Sequence, residues 1–263
     1  MHALELIGGG RMGEALLTGL LADGLLKAGD VAVAEVSEAR REELRRAFPD
    51  VTVTEDLVAA TSVILATKPA DAASALAAAS SLGVERVLSI AAGVEIASLE
   101  AVMGPGIPVI RAMPNTPALV GAGAAAIAGG AHVTEDDMVW AESILGAVGT
   151  VARLPESALD AVTGLSGSGP AYVFLIAEAM IEAGVLEGLP RATADQLVRQ
   201  TLLGSATLLA NSSDGPEALR AAVTSPAGTT AAGLRVMEQG ALRATIIDAI
   251  SAATERSREL RSH

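Results

Sequence analysis

The sequence is poor in the residue types on which many enzyme mechanisms depend. Its 263 residues include no cysteine, two lysines, three histidines and four aromatic residues. The absence of cysteine excludes disulfides, a thiolate nucleophile and a zinc–thiolate site. The histidines, His2, His132 and His263, lie outside the loops in which we expect the chemistry. We therefore predict neither a histidine acid–base catalyst nor a metal site.

Positive charge is also scarce. The formal net charge of −13 argues against a nucleic-acid partner, and the few aromatic residues offer no platform for stacked bases. Met1 and His2 lead directly into the first strand pattern, without a signal peptide. The longest uncharged stretch, between Arg111 and Glu135, is broken by proline and glycine and does not suit a membrane span. We therefore expect a soluble protein with no membrane partner, and the absence of cysteine agrees with a cytoplasmic location.

What the sequence does contain is a dinucleotide-binding fingerprint near its amino terminus. An apolar strand pattern runs into a G-x-G-x-x-G turn, and a helical pattern follows. The turn consists of Gly8, Gly9, Gly10, Arg11, Met12 and Gly13. Gly8 permits the sharp turn, Gly10 leaves room for a pyrophosphate, and Gly13 allows helix and strand to pack closely. The helix N terminus then offers N–H groups to the phosphates. A tight turn without a ligand is the alternative.

The first half of the chain alternates strand and helix patterns, which predicts a parallel sheet that is buried on both faces. Its last strand, helix and strand are expected near residues 124–128, 135–145 and 148–152. After about Pro155 the sequence contains helical patterns only. We therefore predict an α/β fold, with a Rossmann-type domain over residues 1–154 and an all-α dimerisation domain over residues 155–263.

The helices of the second half are marked by proline and by apolar spacing. They are expected at residues 170–183, 191–210, from Pro216 onward, 229–238 and 241–256. Apolar residues lie all round the helix at 191–210. This helix is therefore expected to be buried, either within its own domain or against a partner.

Ligands of a parallel sheet bind beyond the carboxyl ends of its strands. The loops that follow the predicted strands are therefore expected to converge on one cleft, and they start at Gly8, Glu35, Thr67, Ala91 and Met113. Lys68 is placed to meet a cofactor phosphate or a substrate carboxylate, with an ordinary solvated lysine as the alternative. Asn115 lies in a rigid turn between two prolines and is expected to face the cleft and contact the coenzyme.

Two stretches of serine, threonine and glycine, residues 164–170 and 224–230, each precede a predicted helix. Their hydroxyl and N–H groups suit a small carboxylate, and simple helix capping is the alternative. No histidine or cysteine is available as a base. A protonated imine needs none, because it accepts hydride directly and has mainly to be oriented. The composition therefore suits an imine reductase.

Six sequence blocks resemble those of the pyrroline-5-carboxylate reductases, in the same order and over essentially the whole chain. They are residues 8–13, Ala66-Thr67-Lys68-Pro69, Ala91-Ala92-Gly93-Val94, and residues 111–117, 160–172 and 223–230. Ser-Gly-Ser-Gly-Pro-Ala-Tyr at 166–172 and Thr-Ser-Pro-x-Gly-Thr-Thr at 224–230 are far more specific than the fingerprint. The resemblance implies reduction of 1-pyrroline-5-carboxylate to L-proline with NADPH or NADH, the last step of proline biosynthesis.

The resemblance also implies an assembly and a set of site residues. The helical domains interlock in a homodimer, and in several family members five dimers form a decameric ring. The coenzyme would be held by residues 8–13, 66–69 and 91–93. The substrate would be held by Ser225, Gly228, Thr229 and Thr230. Of these, Thr230 is the best candidate to hydrogen-bond the imine nitrogen.

Three residues depart from the common family pattern. Arg11 replaces a small polar residue, and Ala227 replaces a glycine, which matters if that position requires a positive φ. Glu35 ends the second predicted strand, where a carboxylate would bond the ribose hydroxyls of NADH and repel a 2′-phosphate. Arg11, Arg40 and Arg41 are close enough in sequence to offer a phosphate partner. Coenzyme preference is therefore open, with NADH slightly favoured.

Two other functions are compatible with such a fold. A β-hydroxyacid-type dehydrogenase shares the domain arrangement but uses a lysine of its helical domain. The only lysines here are Lys27 and Lys68, both in the first half, which argues strongly against that reaction. A non-catalytic nucleotide-sensing relative is the second alternative. The intact residues 8–13 and 224–230 speak against it without excluding it.

Overall fold

The computed structural model describes residues 1–261, and His263 lies outside the described residues. The chain packs as two compact units: Met1–Ser168 with the residues from 251 onward, and Gly169–Ile250. The first unit extends to Ser168, beyond the predicted domain boundary at residue 154, because residues 155–168 pack on the first unit. Leu159 is fully buried in its core, and Ser257 Oγ donates to buried Asp160 at 2.8 Å.

The first unit is built on one sheet of eight strands. They are β1 (His2–Ile7), β2 (Val31–Ala34), β3 (Thr52–Thr54), β4 (Ala60–Leu65), β5 (Arg86–Ser89), β6 (Val109–Met113), β7 (Gly123–Gly129) and β8 (Gly149–Arg153). Their order is β3-β2-β1-β4-β5-β6-β7-β8. The first six in this order are parallel, β7 runs antiparallel to β6, and β8 is parallel to β7. The order 3-2-1-4-5-6 is that of dinucleotide-binding sheets.

Helices cover this sheet. They are α1 (Arg11–Ala22), α2 (Glu38–Ala47), α3 (Pro69–Ser80), α4 (Ile96–Met103), α5 (Glu135–Gly146) and the single turn α6 (Leu159–Val162). Local sequence sets several of the starts. Pro69 occupies the first turn of α3, where its missing N–H costs nothing. Thr134 and Asp137 form a reciprocal capping box at the start of α5.

Two hydrophobic clusters pack on the two faces of the sheet. Alternate residues along the central strands enter opposite clusters, as Ile64 and Val63 of β4 do. On one face, Leu16 of α1 is fully buried; on the other, Leu76 of α3 is fully buried. Both faces are therefore covered, as predicted for parallel strands.

The predicted α/β class is confirmed, and the expected strand, helix and strand at the end of this unit correspond to β7, α5 and β8. Two features were not predicted. β3 has three residues and gives almost no periodic signal. β7 reverses direction because the segment between β6 and β7 is shorter than the dozen or more residues that a parallel crossover needs.

The second unit is helical. Its helices are α7 (Gly169–Leu186), α8 (Arg191–Asn211), α9 (Pro216–Ala222), α10 (Thr229–Gln239) and α11 (Leu242–Arg261), of which α11 ends in the first unit. All five were predicted to within a few residues, apart from the later end of α11. A small cluster of Ile181, Ala194 and Val198 joins α7 to α8. This cluster of three buried residues is small compared with the number of apolar residues in α7 and α8.

The predicted loop at residues 164–170 is wrong. Thr163–Gly167 forms a π-helical turn, in which the Ser168 N–H donates to the Thr163 carbonyl at 2.8 Å. Its N–H groups are therefore largely engaged in helical bonding rather than available to a carboxylate. The glycines and serines suggested a loop because their helix propensity is low, but the helical context overrides that propensity.

Much of the apolar surface of the second unit is exposed. Phe174 and Leu175 of α7 are 62% and 66% exposed. Within residues 1–261, one helical stretch, Glu156–Leu186, is long and apolar enough by composition to cross a membrane, and 6% of its most apolar window is buried. An apolar face of this extent marks a surface that another molecule covers.

The outer edge of β8 carries a charged cluster. Arg153 donates from Nε to Glu142 at 2.5 Å and from Nη1 to Glu135 at 2.6 Å. These hydrogen bonds, first that to Glu142, hold the pKa of Arg153 above its ordinary value. The opposite edge strand, β3, is only three residues long.

Candidate active site

The strand order brings the predicted coenzyme-binding loops to one edge of the sheet. Residues 8–13 follow β1, Glu35 follows β2, residues 66–69 follow β4, residues 91–93 follow β5, and Asn115 follows β6. These five strands are neighbours and parallel. Their carboxyl ends therefore form one continuous edge.

The glycine turn has the close contacts that its sequence requires. Gly8 has φ +106°, and a Cβ there would lie 2.6 Å from the Ala66 carbonyl oxygen. A Cβ on Gly13 would lie 2.3 Å from the Gly8 carbonyl oxygen. Both positions therefore admit only glycine, and the turn is fixed between β1, β4 and α1.

The same turn leaves space for a ligand. Apart from Gly10 itself and its chain neighbours, no heavy atom of residues 1–261 lies within 4 Å of a Cβ built on Gly10, and no side chain caps the start of α1. Thr67 Oγ1 is buried and has no hydrogen-bond partner in the described chain. An open helix N terminus beside an unpaired hydroxyl fits a dinucleotide pyrophosphate. Arg11 and Met12 form the first turn of α1, where Arg11 is exposed and Met12 packs against the core.

Glu35 is held firmly at the end of β2. Its Oε2 accepts a hydrogen bond from the Gly9 N–H at 2.9 Å, and its Oε1 accepts one from the Ser37 N–H at 2.9 Å. Each carboxylate oxygen retains capacity to accept a further bond. The carboxylate is therefore oriented by the backbone before any ligand arrives.

The loops after β4 and β5 differ in exposure. Lys68 is exposed and immediately precedes α3, so its ammonium is free to reach a phosphate. Ala91 is buried, and its N–H donates to Ser89 Oγ at 3.3 Å. Ala92 is exposed, and Gly93 has φ +75°. This turn presents backbone rather than side chains.

Asn115 has a role that the sequence did not reveal. Its side chain is buried, donates from Nδ2 to the Ser166 carbonyl at 3.0 Å and accepts from the Ala124 N–H at 2.8 Å. The amide therefore ties β7 to the π-helical turn. The coenzyme contact expected of Asn115 stays a prediction.

The loop before α10 has the features expected of an anion site. Gly228 caps the helix without a side-chain bond, and its N–H donates to the Ser225 carbonyl at 3.1 Å. Thr229 and Thr230 are the first two residues of α10 and are exposed. Ala227 has φ +59°, so this position does adopt the left-handed conformation that glycine favours.

Sequence reasoning missed the acidic partners of the arginines near Glu35. Arg40 is paired with Glu14 and Glu43, and Arg41 with Glu38 and Glu55. Two of these pairs have i,i+3 spacing, a signal that was present in the sequence. In the part of the chain that the structure describes, no group of three His, Asp or Glu side chains is arranged to hold a metal.

The chain matches known proteins along its whole length. Residues 156–260 match the family model described as pyrroline-5-carboxylate reductase dimerisation. Residues 3–93 match the model described as NADP oxidoreductase, coenzyme F420-dependent. The pyrroline-5-carboxylate reductase of Synechocystis sp. is 44% identical over 263 residues, with 98% of this chain and 97% of the relative covered.

Solved structures give the same result. The pyrroline-5-carboxylate reductase of Coxiella burnetii superposes with a TM-score of 0.92 at 36% identity, with 98% of both chains covered. That of Plasmodium falciparum, which has NADP bound, superposes with a TM-score of 0.84 at 29% identity and covers 99% of this chain and 98% of its own.

Proposed function

The chain belongs to the pyrroline-5-carboxylate reductase family, and we propose that the residues described above carry out its reaction. The protein is an NAD(P)H-dependent oxidoreductase that reduces 1-pyrroline-5-carboxylate to L-proline. The observation that carries the site assignment is that one chain has both an open glycine turn and an intact Thr-Ser-Pro-x-Gly-Thr-Thr sequence that leads into α10.

In this proposal the coenzyme lies at the carboxyl edge of the sheet. The first turn of α1 and Thr67 Oγ1 bind the pyrophosphate, Lys68 neutralises phosphate charge, and residues 91–93 offer backbone groups. Arg11, Met12 and Asn115 complete the predicted set. When bound, the reduced nicotinamide supplies the hydride that the imine carbon accepts.

The substrate is assigned to the loop that ends in α10. Ser225 and Thr229 bind the carboxylate through hydroxyl and N–H groups at the positive end of the helix, and Gly228 between them lets the carboxylate approach the backbone. Thr230 Oγ1 accepts a hydrogen bond from the protonated imine nitrogen, which keeps its proton when the carbon is reduced. The protein therefore orients an already electrophilic substrate and needs no general base.

The protein is a homo-oligomer. We propose a dimer as its basic unit, with the apolar face of α7 covered by the second copy, and a decamer of five dimers as the larger assembly. On this view the stretch Glu156–Leu186 packs against protein and not against lipid. We also propose a cytoplasmic location and no membrane association.

A steady-state assay tests the proposed reaction. Pyrroline-5-carboxylate is added to the protein with NADH or NADPH, the loss of coenzyme absorbance is followed, and L-proline is identified by chromatography. We expect proline to form in equal amount to the coenzyme oxidised. A 3-hydroxy acid with NAD+ serves as the negative control. No proline formation with either coenzyme would refute the proposal.

A further inference from the structure

The carboxylate of Glu35 stands where an adenosine ribose is recognised in dinucleotide-binding sheets. β1 and β2 pair with Ile7 opposite Ala34, so Gly8 and Glu35 leave neighbouring strand ends together. The Gly9 and Ser37 N–H groups fix the two carboxylate oxygens at 2.9 Å each. An acceptor held in this way matches the 2′ and 3′ hydroxyls of an unphosphorylated ribose.

We infer that Glu35 makes this chain prefer NADH over NADPH, an inference that rests on the proposed function. A 2′-phosphate carries close to two negative charges and has no proton to donate to the carboxylate at neutral pH. Its charge would repel that of Glu35 at short range. The preference for NADH requires that no nearby cation is free to neutralise the 2′-phosphate. The coenzyme preference therefore depends on whether the nearby arginines are already paired.

All three guanidinium nitrogens of Arg40 donate hydrogen bonds to protein groups. Its Nε donates to the Gly9 carbonyl at 2.7 Å, Nη1 donates to Glu43 at 2.7 Å, and Nη2 donates to Glu14. The bonds to Glu43 and Glu14 raise the pKa of Arg40. Arg40 therefore supports the glycine turn, and a 2′-phosphate would have to compete with two carboxylates for it.

Arg41 is less available still. Its side chain is 6% exposed. Nη1 donates to the carbonyls of Glu35 and Val36 at 2.7 and 2.9 Å, while Nε and Nη2 donate to Glu38 and Nη2 also to Glu55. Arg41 therefore holds the chain just after β2 in place, and its charge is balanced by two carboxylates.

Arg11 is the remaining cation of the three. It is exposed at the first turn of α1 and has no carboxylate partner within residues 1–261. One exposed guanidinium balances the single charge of Glu35 but not the additional charge of a 2′-phosphate. We expect Arg11 to interact with the pyrophosphate that both coenzymes share, and therefore not to discriminate between them.

Isothermal titration calorimetry of the full chain, without substrate, tests this inference independently of turnover. The wild type is titrated with NADH and NADPH, and with ADP-ribose and 2′-phospho-ADP-ribose, which lack the nicotinamide. We expect the unphosphorylated member of each pair to bind at least about tenfold more tightly. Glu35→Ser should lower this ratio at least about tenfold, and Glu35→Gln should lower it while keeping the side-chain length.

Matched variants complete the design. Glu42→Gln removes one charge from α2, the helix that follows Glu35, and should leave the ratio unchanged, because within residues 1–261 Glu42 pairs only with exposed Arg46. Arg11→Asn should weaken both coenzymes equally. Circular dichroism melting verifies the fold of each variant.

Equal or tighter binding of NADPH by the wild type, or an unchanged ratio in both Glu35 variants, would overturn the assignment to Glu35. A selective loss of NADPH binding in Arg11→Asn would overturn the shared role of Arg11. If neither coenzyme binds at all, the proposed function fails together with this inference, an outcome distinct from a reversed preference.

Discussion

Thr230 is the residue on which the chemical assignment depends most. It is exposed at the second position of α10, next to an N terminus that no side chain within residues 1–261 caps. The sequence has no cysteine, and no histidine within residues 1–261 lies in the loops assigned to the ligands. In the proposed site, a single hydroxyl placed at the imine nitrogen would therefore supply much of the orientation. The loss of one such bond is worth roughly 1–3 kcal/mol.

We expect Thr230→Ala to lower kcat roughly ten- to a hundredfold, because the iminium loses the group that aligns it. Coenzyme affinity, measured by calorimetry, should not change, since the fingerprint is intact. Thr230→Ser retains the hydroxyl and should recover most of the rate. An unchanged kcat in the alanine variant would remove Thr230 from this role.

The type and position of a residue suggested its ligand contacts, but not the protein partners that its side chain already has. Glu35 was predicted to bind the ribose because it follows a strand, and that contact stays a prediction. The pairs of Arg40 with Glu14 and of Arg41 with Glu55 depend on how α2 packs against neighbouring segments, which the sequence does not specify. The sequence showed that Ala227 replaces a glycine, but only the structure showed that this position has a positive φ, +59°.

Among the secondary-structure elements, β1 contains an ionisable group in an unusual setting. Glu5 is 1% exposed, its Oε1 accepts from the Val58 N–H at 2.8 Å, and Oε2 has no partner in the described chain. Burial raises the pKa of Glu5 above 4.5, and the bond from Val58 offsets part of that rise. Folding therefore favours the protonated form. Its contribution to stability is complete below the unfolded pKa and is lost as pH rises through the folded pKa.

We expect the Glu5→Gln variant to become more stable relative to the wild type by roughly 1–3 kcal/mol as pH rises from about 4 to about 7. The buried amide adds a cost that is constant with pH, so the slope is the informative quantity. Urea unfolding at several pH values measures it, with the exposed Glu85→Gln as control. A difference that stays flat with pH would contradict the buried, ionisable state of Glu5.

Helices and parallel strands were predictable because their apolar periodicity is strong. The antiparallel direction of β7 was not, since it follows from the length of a connection and not from the composition of the strand. The π-helical turn at Thr163–Gly167 was missed for a related reason. The bond from Asn115 to Ser166 that fixes this turn joins residues that are distant in sequence.

For the whole molecule, we propose that copies of the homo-oligomer meet through the apolar surface of α7. We expect Leu175→Asp to dissociate the homo-oligomer, because burying a carboxylate in an apolar interface costs several kcal/mol (~3 or more). Sedimentation velocity measures the change. Val139→Asp on α5, also an exposed apolar position, is the control and should leave the sedimentation coefficient unaltered.

An unchanged sedimentation coefficient for Leu175→Asp would show that α7 is not the interface. Circular dichroism distinguishes a folded, dissociated variant from an unfolded one. The midpoint of thermal unfolding should also depend on protein concentration for the wild type, as expected when folding and assembly are coupled.

The two ends of the sheet have a consequence for aggregation. Open strand edges recruit strands from other chains and nucleate fibrils. Here one edge strand, β3, has only three residues. The other edge strand, β8, carries Arg153, which forms ion pairs with Glu135 and Glu142. A newly made chain therefore has little opportunity to join another through its sheet. Copies can meet through helices while their exposed strand edges resist polymerisation.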